Sequence, residues 1–236
     1  MAPSTGGPRD ARHELEDLLR VIAHDLRAPV RHLTAFSGLL RERLDELGAD
    51  PEALDYLGSM AEATRNLGAM IDGLQQLSQI GRAPLERQPL DLHGLVHEVR
   101  QRVLPEAAGR PIEWAVASDF PPLEGDPLLV RQLLERLLSN AVKFTRRMPV
   151  AQVVVDWQRT PGGTVEVRVR DNGAGFPATG VDKLFGIFER LHPVSEFEGL
   201  GVGLAAARHI VERHGGGIRA EGAPQAGCSI WFTLGS

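Results

Sequence analysis

The sequence predicts an α+β protein in which an N-terminal helical hairpin precedes an α/β sandwich, with helices on one face of a mixed sheet. Leucines recur at three- and four-residue spacings through roughly the first 80 residues, which is the period of amphipathic helices. From residue 91 onward, runs that alternate apolar and polar side chains lie between helix-like runs. With 236 residues, 42% of them hydrophobic, the chain is long enough for two modest domains.

The hairpin is predicted from two helices and the turn between them. The first helix runs from about residue 9 to 47, and Pro29 inside it lacks a backbone N–H, which predicts a kink. Asp50 is a favourable N-cap, with Pro51 at the first position of a second helix that ends at Gly81. A hairpin buries only part of its apolar faces, so we expect a homodimer in which four helices form one bundle.

We expect four segments: a disordered head at 1–9, the hairpin at 10–81, a linker at 82–90 and a second domain at 91–236. In the second domain, cap residues and apolar periodicity predict helices at about 91–104, 126–146 and 202–214. Alternating runs predict strands at 112–117, 151–158, 164–170, 218–221 and 229–234. Neither internal repeats nor low-complexity tracts occur.

Composition excludes several classes of function. A net charge of −5 argues against general binding to nucleic acid or to anionic membranes. No apolar run reaches the roughly 18 residues of a membrane span, and no signal peptide precedes the first charged residues. The single cysteine, Cys228, cannot form an internal disulfide, so we interpret it as a buried thiol and expect a reducing, cytoplasmic location.

Two glycine loops carry the main functional signal. The first, residues 171–175, follows a predicted strand and reads Asp-Asn-Gly-Ala-Gly. The second, residues 199–203, reads Gly-Leu-Gly-Val-Gly and opens an apolar helix. Glycines let main-chain N–H groups approach phosphates, and a helix N-terminus favours anions. The pair therefore predicts a nucleotide site.

Four side chains around these loops suit a nucleotide. Asn140 and Lys143 share a helix face, where an amide oxygen suits Mg²⁺ and an ammonium suits phosphate. Asp171 can accept a hydrogen bond from the exocyclic amine of adenine, which would disfavour guanine. Phe185 and Phe188 are typical either of a lid over the nucleotide or of a small satellite core. In isolation, the first three residues also fit a solvated helix face and a turn, and the loops favour the nucleotide.

His24 lies on the first helix beside Asp25, with Arg27 and Arg31 within seven residues. A neutral imidazole can attack phosphorus directly, and Asp25 could fix its tautomer by accepting from the other ring nitrogen. Because adjacent helix residues point about 100° apart, the sequence leaves that contact open. We expect the two arginines to attract and orient a γ-phosphate.

Five motifs occur in the order typical of the kinase core of two-component sensor histidine kinases, which the chain resembles over residues 10–236. They are an H box at 24–29, an N box at 137–144, a first G box at 171–175, an F box at 184–188 and a second G box at 199–203. The stretch from 188 to 199 is most similar to phytochrome-type kinases.

The resemblance implies that the hairpin is the dimerisation and phosphoacceptor domain and that 91–236 form a Bergerat-type ATP-binding domain, as in Hsp90-like and gyrase-like ATPases. ATP·Mg²⁺ would bind between Asn140, the metal ligand, Asp171 and a lid at about 176–200. His24, assisted by Asp25, would take the γ-phosphoryl group and pass it to an aspartate in the receiver domain of a response regulator. The other cofactor-binding positions implied are Lys143, Gly173, Gly175, Phe185, Phe188, Gly199, Gly201 and Gly203.

Three positions depart from the family pattern. Arg136 stands where a polar asparagine is usual, and it would either contact phosphate or weaken Mg²⁺ coordination. Leu200 replaces a threonine and removes a hydroxyl from the second G box. Ala28 stands where a threonine or asparagine often orients a water for dephosphorylation of the regulator, so we expect weak phosphatase activity; robust dephosphorylation by the purified protein would contradict this.

Two other interpretations remain open. A degenerate kinase would keep the fold as a dimeric interaction module, and ATP affinity with and without Mg²⁺ would distinguish it. An ATP-driven clamp is disfavoured by the hairpin with His24 and by the lack of a glutamate at position 136. No sensor domain is visible, so either the chain is a fragment of a larger kinase or a separate sensor protein delivers the signal.

Overall fold

The structure, a computed structural model, describes residues 8–82, 84–193 and 195–235. It divides into two compact units, residues 1–82 and 83–236. Most of the predicted head lies outside the described residues, which begin at Pro8, already the first residue of a helix. Within the described ranges, no helix combines the length and the apolar character needed to cross a bilayer.

The first unit is the predicted helical hairpin. Helix α1 spans Pro8–Glu46 and continues through Pro29, and helix α2 spans Pro51–Arg82. Gly48 takes a φ of +62°, and the Asp50 carboxylate accepts a 3.1 Å hydrogen bond from the Glu52 N–H. A left-handed glycine followed by an N-cap thus reverses the chain between the helices, as the sequence predicted.

The hairpin buries little of its apolar surface by itself. Its inner cluster contains Ala23, Val30 and Ile71, each at most 7% exposed. Many large apolar side chains remain open, among them Leu26, Leu33, Phe36, Leu39, Leu40, Tyr56, Met60 and Leu67. An exposed apolar face of this extent is typical of an interface.

In its described residues, the second unit contains three α-helices and two sheets. Its helices are α3, Leu92–Val103, α4, Pro127–Phe144, and α5, Gly203–Arg213. Its strands are β1, Gln88–Pro89, β2, Ile112–Val116, β3, Glu124–Gly125, β4, Ala151–Arg159, β5, Val165–Asp171, β6, Ile218–Gly222, and β7, Cys228–Thr233. Short 3₁₀ helices occupy Leu104–Ala107 and Ala178–Lys183.

The main sheet is mixed, in the order β2-β4-β5-β7-β6. Only the β2–β4 pair is parallel, and the other three pairs are antiparallel. One face packs buried valines such as Val153, Val155 and Val167 against the helix layer, in which the α4 residues Leu133 and Leu137 are buried. The opposite face carries charge, including an ion pair between Arg168 and Asp156. This layering confirms the predicted α+β class.

The sequence did not predict the small β1–β3 pair, whose strands are only two residues long. It joins the segment from residue 84 onward to the second unit, and two further contacts strengthen the attachment. The Asp126 carboxylate accepts from the Glu86 N–H at 3.2 Å, and the Arg87 guanidinium donates to the carbonyls of His214 and Gly235. Most of the predicted linker, 82–90, is therefore built into the second unit.

Candidate nucleotide and phosphoacceptor sites

Asp171 is the last residue of β5, with its side chain on the helix-facing side of the sheet and only 8% of its surface exposed. Its carboxylate accepts from the Gly173 N–H at 2.8 Å. Burial raises the pKa of Asp171 from 3.8 to about 6, although hydrogen bonds from the backbone of Gly173 and Cys228 oppose the shift. The remaining acceptor capacity of a buried carboxylate is suited to a donor on a bound base.

Gly173 and Gly175 are required by the fold for a reason the sequence did not indicate. A Cβ on Gly175, whose φ is +61°, would lie 1.9 Å from the carbonyl oxygen of Ala223. A Cβ on Gly173 would lie 2.5 Å from the carbonyl oxygen of Phe144. Both glycines are therefore required by close packing against the protein's own backbone, in addition to the expected role in approaching phosphate. The constraint is strongest at Gly175.

Cys228 is the register partner of Asp171 on β7. It is half-buried, whereas the sequence predicted a buried thiol. Burial, followed by the negative charge of Asp171, raises the pKa of the Cys228 thiol. A thiol held protonated in this way is a poor nucleophile at neutral pH.

Helix α4 brings the predicted polar residues to the edge of the site. Asn140 and Lys143 are both half-buried. A Cβ on Gly199 would lie 3.3 Å from Nζ of Lys143, so the N box and the second glycine loop meet at this point. Burial lowers the pKa of Lys143, with Glu198 opposing the shift. The contact places an ammonium group beside the second glycine loop.

Helix α5 begins without a side-chain cap, in contrast to its neighbours. Asp91 and Asp126 accept hydrogen bonds from the first turns of α3 and α4. In the part of the chain described, the N-cap of α5 is Val202, whose side chain makes no capping hydrogen bond. Gly203 begins the helix, and a Cβ there would meet no atom within 4 Å. Open N–H groups at a helix N-terminus are suited to an anion.

The predicted lid segment makes specific contacts with the second glycine loop. The Phe188 N–H donates to the carbonyl of Gly201 at 3.0 Å, and both residues have positive φ values. Phe185 and Phe188 are half-buried. A Cβ on Gly201 would lie 2.4 Å from the carbonyl oxygen of Glu189, so Gly201 is required for this contact.

Sequence reasoning gave Arg190 and Phe197 no role in the site. The Arg190 guanidinium donates to the carbonyl of Phe197 at 2.6 Å and to that of Gly199. Phe197 is only 2% exposed. The sequence signal that could have identified Phe197 is a single phenylalanine between Glu196 and Glu198, in a stretch without helix or strand periodicity.

The phosphoacceptor candidate is largely exposed on α1. The His24 side chain is 79% exposed, and its Nδ1 lies 3.1 Å from the Asp25 carboxylate. The contact left open by the sequence is therefore made. A carboxylate accepting from Nδ1–H leaves Nε2 as the ring nitrogen with a free lone pair.

Arg27 differs from the expectation. Its guanidinium donates to the Asp72 carboxylate at 2.7 Å and to the Gln75 side chain on α2. Arg27 thus joins the two helices of the hairpin, because its side chain reaches the acceptors on α2. Arg31 is exposed, as expected for a residue that would meet a phosphate.

The donor set around Asn140 fits Mg²⁺ only together with a bound nucleotide. Throughout the described ranges, no cluster of three or more His, Cys, Asp or Glu side chains could hold a metal ion. Mg²⁺ commonly uses one or two protein oxygens plus phosphates and waters, so one amide oxygen is compatible with it. Arg136, one turn before Asn140, is half-buried, and burial lowers its pKa.

Two family descriptions match the chain. Residues 14–83 match the His Kinase A (phospho-acceptor) domain, and residues 125–236 match the histidine kinase-, DNA gyrase B-, and HSP90-like ATPase domain. The chain belongs to the two-component sensor histidine kinases. This histidine kinase core carries a phosphoacceptor domain and an ATPase domain in the order that the five motifs predicted.

The kinase core is 34% identical over 221 residues to the methanogenesis regulatory histidine kinase FilI of Methanothrix harundinacea (strain 6Ac), covering 94% of this chain and 24% of FilI. It is 28% identical to cyanobacterial phytochrome B of Nostoc, covering 95% of this chain and 30% of the phytochrome. The chain therefore spans about a quarter to a third of these relatives.

A solved structure also resembles the kinase core. The structure of full-length ShkA in complex with AMPPNP superposes with a TM-score of 0.63 at 26% identity, covering 92% of this chain and 45% of ShkA. The mycobacterial sensor histidine kinase MprB gives a TM-score of 0.52 at 25% identity, covering 62% of this chain and 97% of that one.

Proposed function

We propose that this kinase core autophosphorylates His24 with the γ-phosphoryl group of ATP·Mg²⁺ and passes it to an aspartate in the receiver domain of a response regulator. The observation that carries the proposal is the His24 side chain, 79% exposed with Nδ1 3.1 Å from the Asp25 carboxylate. An accessible imidazole with one nitrogen held by an acceptor is arranged as a nucleophile rather than as a packing residue.

The chemistry follows from this arrangement. Nε2 of His24 attacks the γ-phosphorus, a nitrogen–phosphorus bond forms, and the bond from that phosphorus to the bridging oxygen breaks to release ADP. Asp25 stabilises the positive charge that develops on the imidazole. A carboxylate oxygen of the regulator then attacks the phosphorus, and the imidazole leaves.

The nucleotide would bind in the second unit. Asp171 would accept from the exocyclic amine of adenine, while Lys143 and the uncapped start of α5 at Gly203 would face the phosphates. Asn140 would supply an oxygen to Mg²⁺, which neutralises phosphate charge when bound. Support comes from the Lys143–Gly199 contact and from the similarity to ShkA in its complex with AMPPNP.

We propose that the protein acts as a homodimer. The apolar side chains of the hairpin, such as Phe36 at 66% and Leu39 at 60% exposure, favour a four-helix bundle formed with a second copy. A cytoplasmic location is consistent with the use of ATP. The input signal would come from a further domain or from a separate sensor protein.

The experiment that tests the proposal is incubation of the chain with ATP labelled on the γ-phosphate in the presence of Mg²⁺. Wild type is expected to take up acid-labile, base-stable label, and His24→Gln is expected to take up none. His32→Gln is the matched control, because His32 is an exposed histidine on the same helix, and this variant is expected to take up label as wild type does. Equal labelling of His24→Gln and wild type would contradict the proposal.

The degenerate-module interpretation remains the second candidate, favoured by the half-buried Arg136 one turn before the proposed metal ligand Asn140. An ATP affinity that is the same with and without Mg²⁺, together with no label on His24, would support it. Restoring the usual residue with Arg136→Asn is then expected to return Mg²⁺-dependent binding.

A further inference from the structure

Three aromatic rings meet where α4 ends. The ring centroids of Phe144 and Phe197 are 4.9 Å apart, those of His192 and Phe197 5.1 Å, and those of Phe144 and His192 5.4 Å. These separations and tilted geometries are those of favourable aromatic pairs. We call Phe144, His192 and Phe197 the aromatic anchor.

Phe197 is the central member of the anchor. Besides the two rings, the guanidinium carbons of Arg146 and Arg147 lie 4.7 Å and 5.4 Å from its ring centroid. Arg146 also pairs with the neighbouring Glu198 at 2.6 Å. The ring is 2% exposed. The cation–π contacts and the ring packing therefore surround it and fix its position.

The anchor includes the end of α4, contacts the first glycine loop and lies next to the second glycine loop in the chain. Phe144 is the last residue of α4 and follows Lys143, whose Nζ lies 4.6 Å from its ring centroid. His192 Nε2 donates to the carbonyl of Gly175, in the first glycine loop, at 2.8 Å. Phe197 lies two residues before Gly199, in the second glycine loop.

We propose that Phe197 and His192 are positioning residues that set the phosphate end of the site, an inference that rests on the proposed function. Phe197 holds the segment before Gly199 against α4, which keeps Gly199 beside the Lys143 ammonium. His192 ties the same cluster to the first glycine loop through the Gly175 carbonyl. Neither side chain is required to touch the nucleotide.

The test uses the full chain with Phe197→Leu, which keeps an apolar side chain and removes the ring. Phe232→Leu is the matched control, because Phe232 is also fully buried but lies on β7 outside the anchor. The affinities for Mg·ATP and for adenosine are measured, together with the melting temperature. Adenosine reports on the Asp171 end of the site alone.

For Phe197→Leu we expect about a tenfold loss of ATP affinity and an unchanged adenosine affinity. A tenfold loss is what the loss of one charged hydrogen bond, from the Lys143 ammonium to a phosphate, would cause. Phe232→Leu is expected to lower the melting temperature without changing the ratio of the two affinities. An unchanged ratio in Phe197→Leu would overturn the proposal and leave Phe197 as a packing residue.

A matched pair of variants tests His192. His192→Phe keeps the ring and loses the donor to Gly175, whereas His192→Gln keeps a donor and loses the ring. We expect both to weaken ATP more than adenosine, and wild-type behaviour of both variants would contradict the role of His192. Wild type that binds ATP without labelling His24 would contradict the proposed function. Both anchor tests could still be interpreted, because they measure binding and not phosphotransfer.

Discussion

The backbone N–H of Asp126 donates a 3.0 Å hydrogen bond to Nε2 of His214, which has no exposed surface. Nδ1 of the same ring donates to the carbonyl of Ile210 at 2.8 Å. Since Nε2 accepts, the imidazole must be neutral, and burial lowers the pKa of His214. The contact joins the end of α5 to the N-cap of α4.

This contact predicts a loss of stability in mild acid. The unfolded His214 takes up a proton as pH falls through its ordinary pKa of 6.5, whereas the folded ring resists protonation. Its contribution is therefore complete above pH 6.5 and declines below it. We expect the free energy of unfolding, measured in urea at pH 7.5 and 5.5, to fall more steeply in wild type than in His214→Gln. Equal pH dependence would contradict the prediction.

The burial of Asp171 predicts a pH dependence of stability that is opposite in sign to that of His214. A carboxyl whose pKa rises from 3.8 to about 6 on folding stabilises the protein at low pH, and this contribution is lost as pH rises through 6. Above pH 6 the buried carboxylate costs about 3 kcal/mol. Asp171→Asn is expected to raise the melting temperature at pH 7.5, with a smaller gain at pH 5, and to weaken ATP binding at least tenfold. A variant that is less stable at pH 7.5 would show that the carboxylate is not strained by burial.

The glycines divide into two groups that substitution should separate. Gly175→Ala forces a Cβ to within 1.9 Å of the Ala223 carbonyl at a φ of +61°, so we expect about 2–4 kcal/mol of destabilisation. Gly203→Ala meets open space at the start of α5, so stability should be kept or slightly raised. The methyl group that Gly203→Ala adds is nevertheless expected to weaken ATP binding. Thermal melts and ATP titrations of both variants check this, and normal ATP binding by Gly203→Ala would place the phosphates elsewhere.

The hydrogen bonds of Arg87 are expected to attach the segment after the hairpin to the second unit. Its guanidinium donates to two carbonyls, those of His214 and Gly235. Arg87→Ala is expected to lower stability by about 1–2 kcal/mol and to speed hydrogen exchange at the β1 residue Gln88. Arg170→Ala is the control, since Arg170 is an exposed arginine on the outer face of β5. Unchanged exchange in Arg87→Ala would mean that the β1–β3 pairing suffices.

Much of this protein follows from local sequence. Leucine periodicity and the Asp50-Pro51 cap predicted the hairpin, and Asp126 with Pro127 predicted the start of α4, because caps and periodicity depend on neighbours in the chain. The order of five motifs predicted the family, which the matches to the His Kinase A and ATPase domains confirm. The roles of the individual site residues stay predictions.

Tertiary structure alone decided which distant residues meet. It paired Arg27 with Asp72, assembled Phe144, His192 and Phe197 into the anchor, and attached Arg87 to the end of α5. It also showed that Gly175 is required by the Ala223 carbonyl. A short motif reflects only the conformational preferences of its own residues. Contacts between residues dozens of positions apart depend on how the sheet and helices pack, and no local pattern specifies that packing.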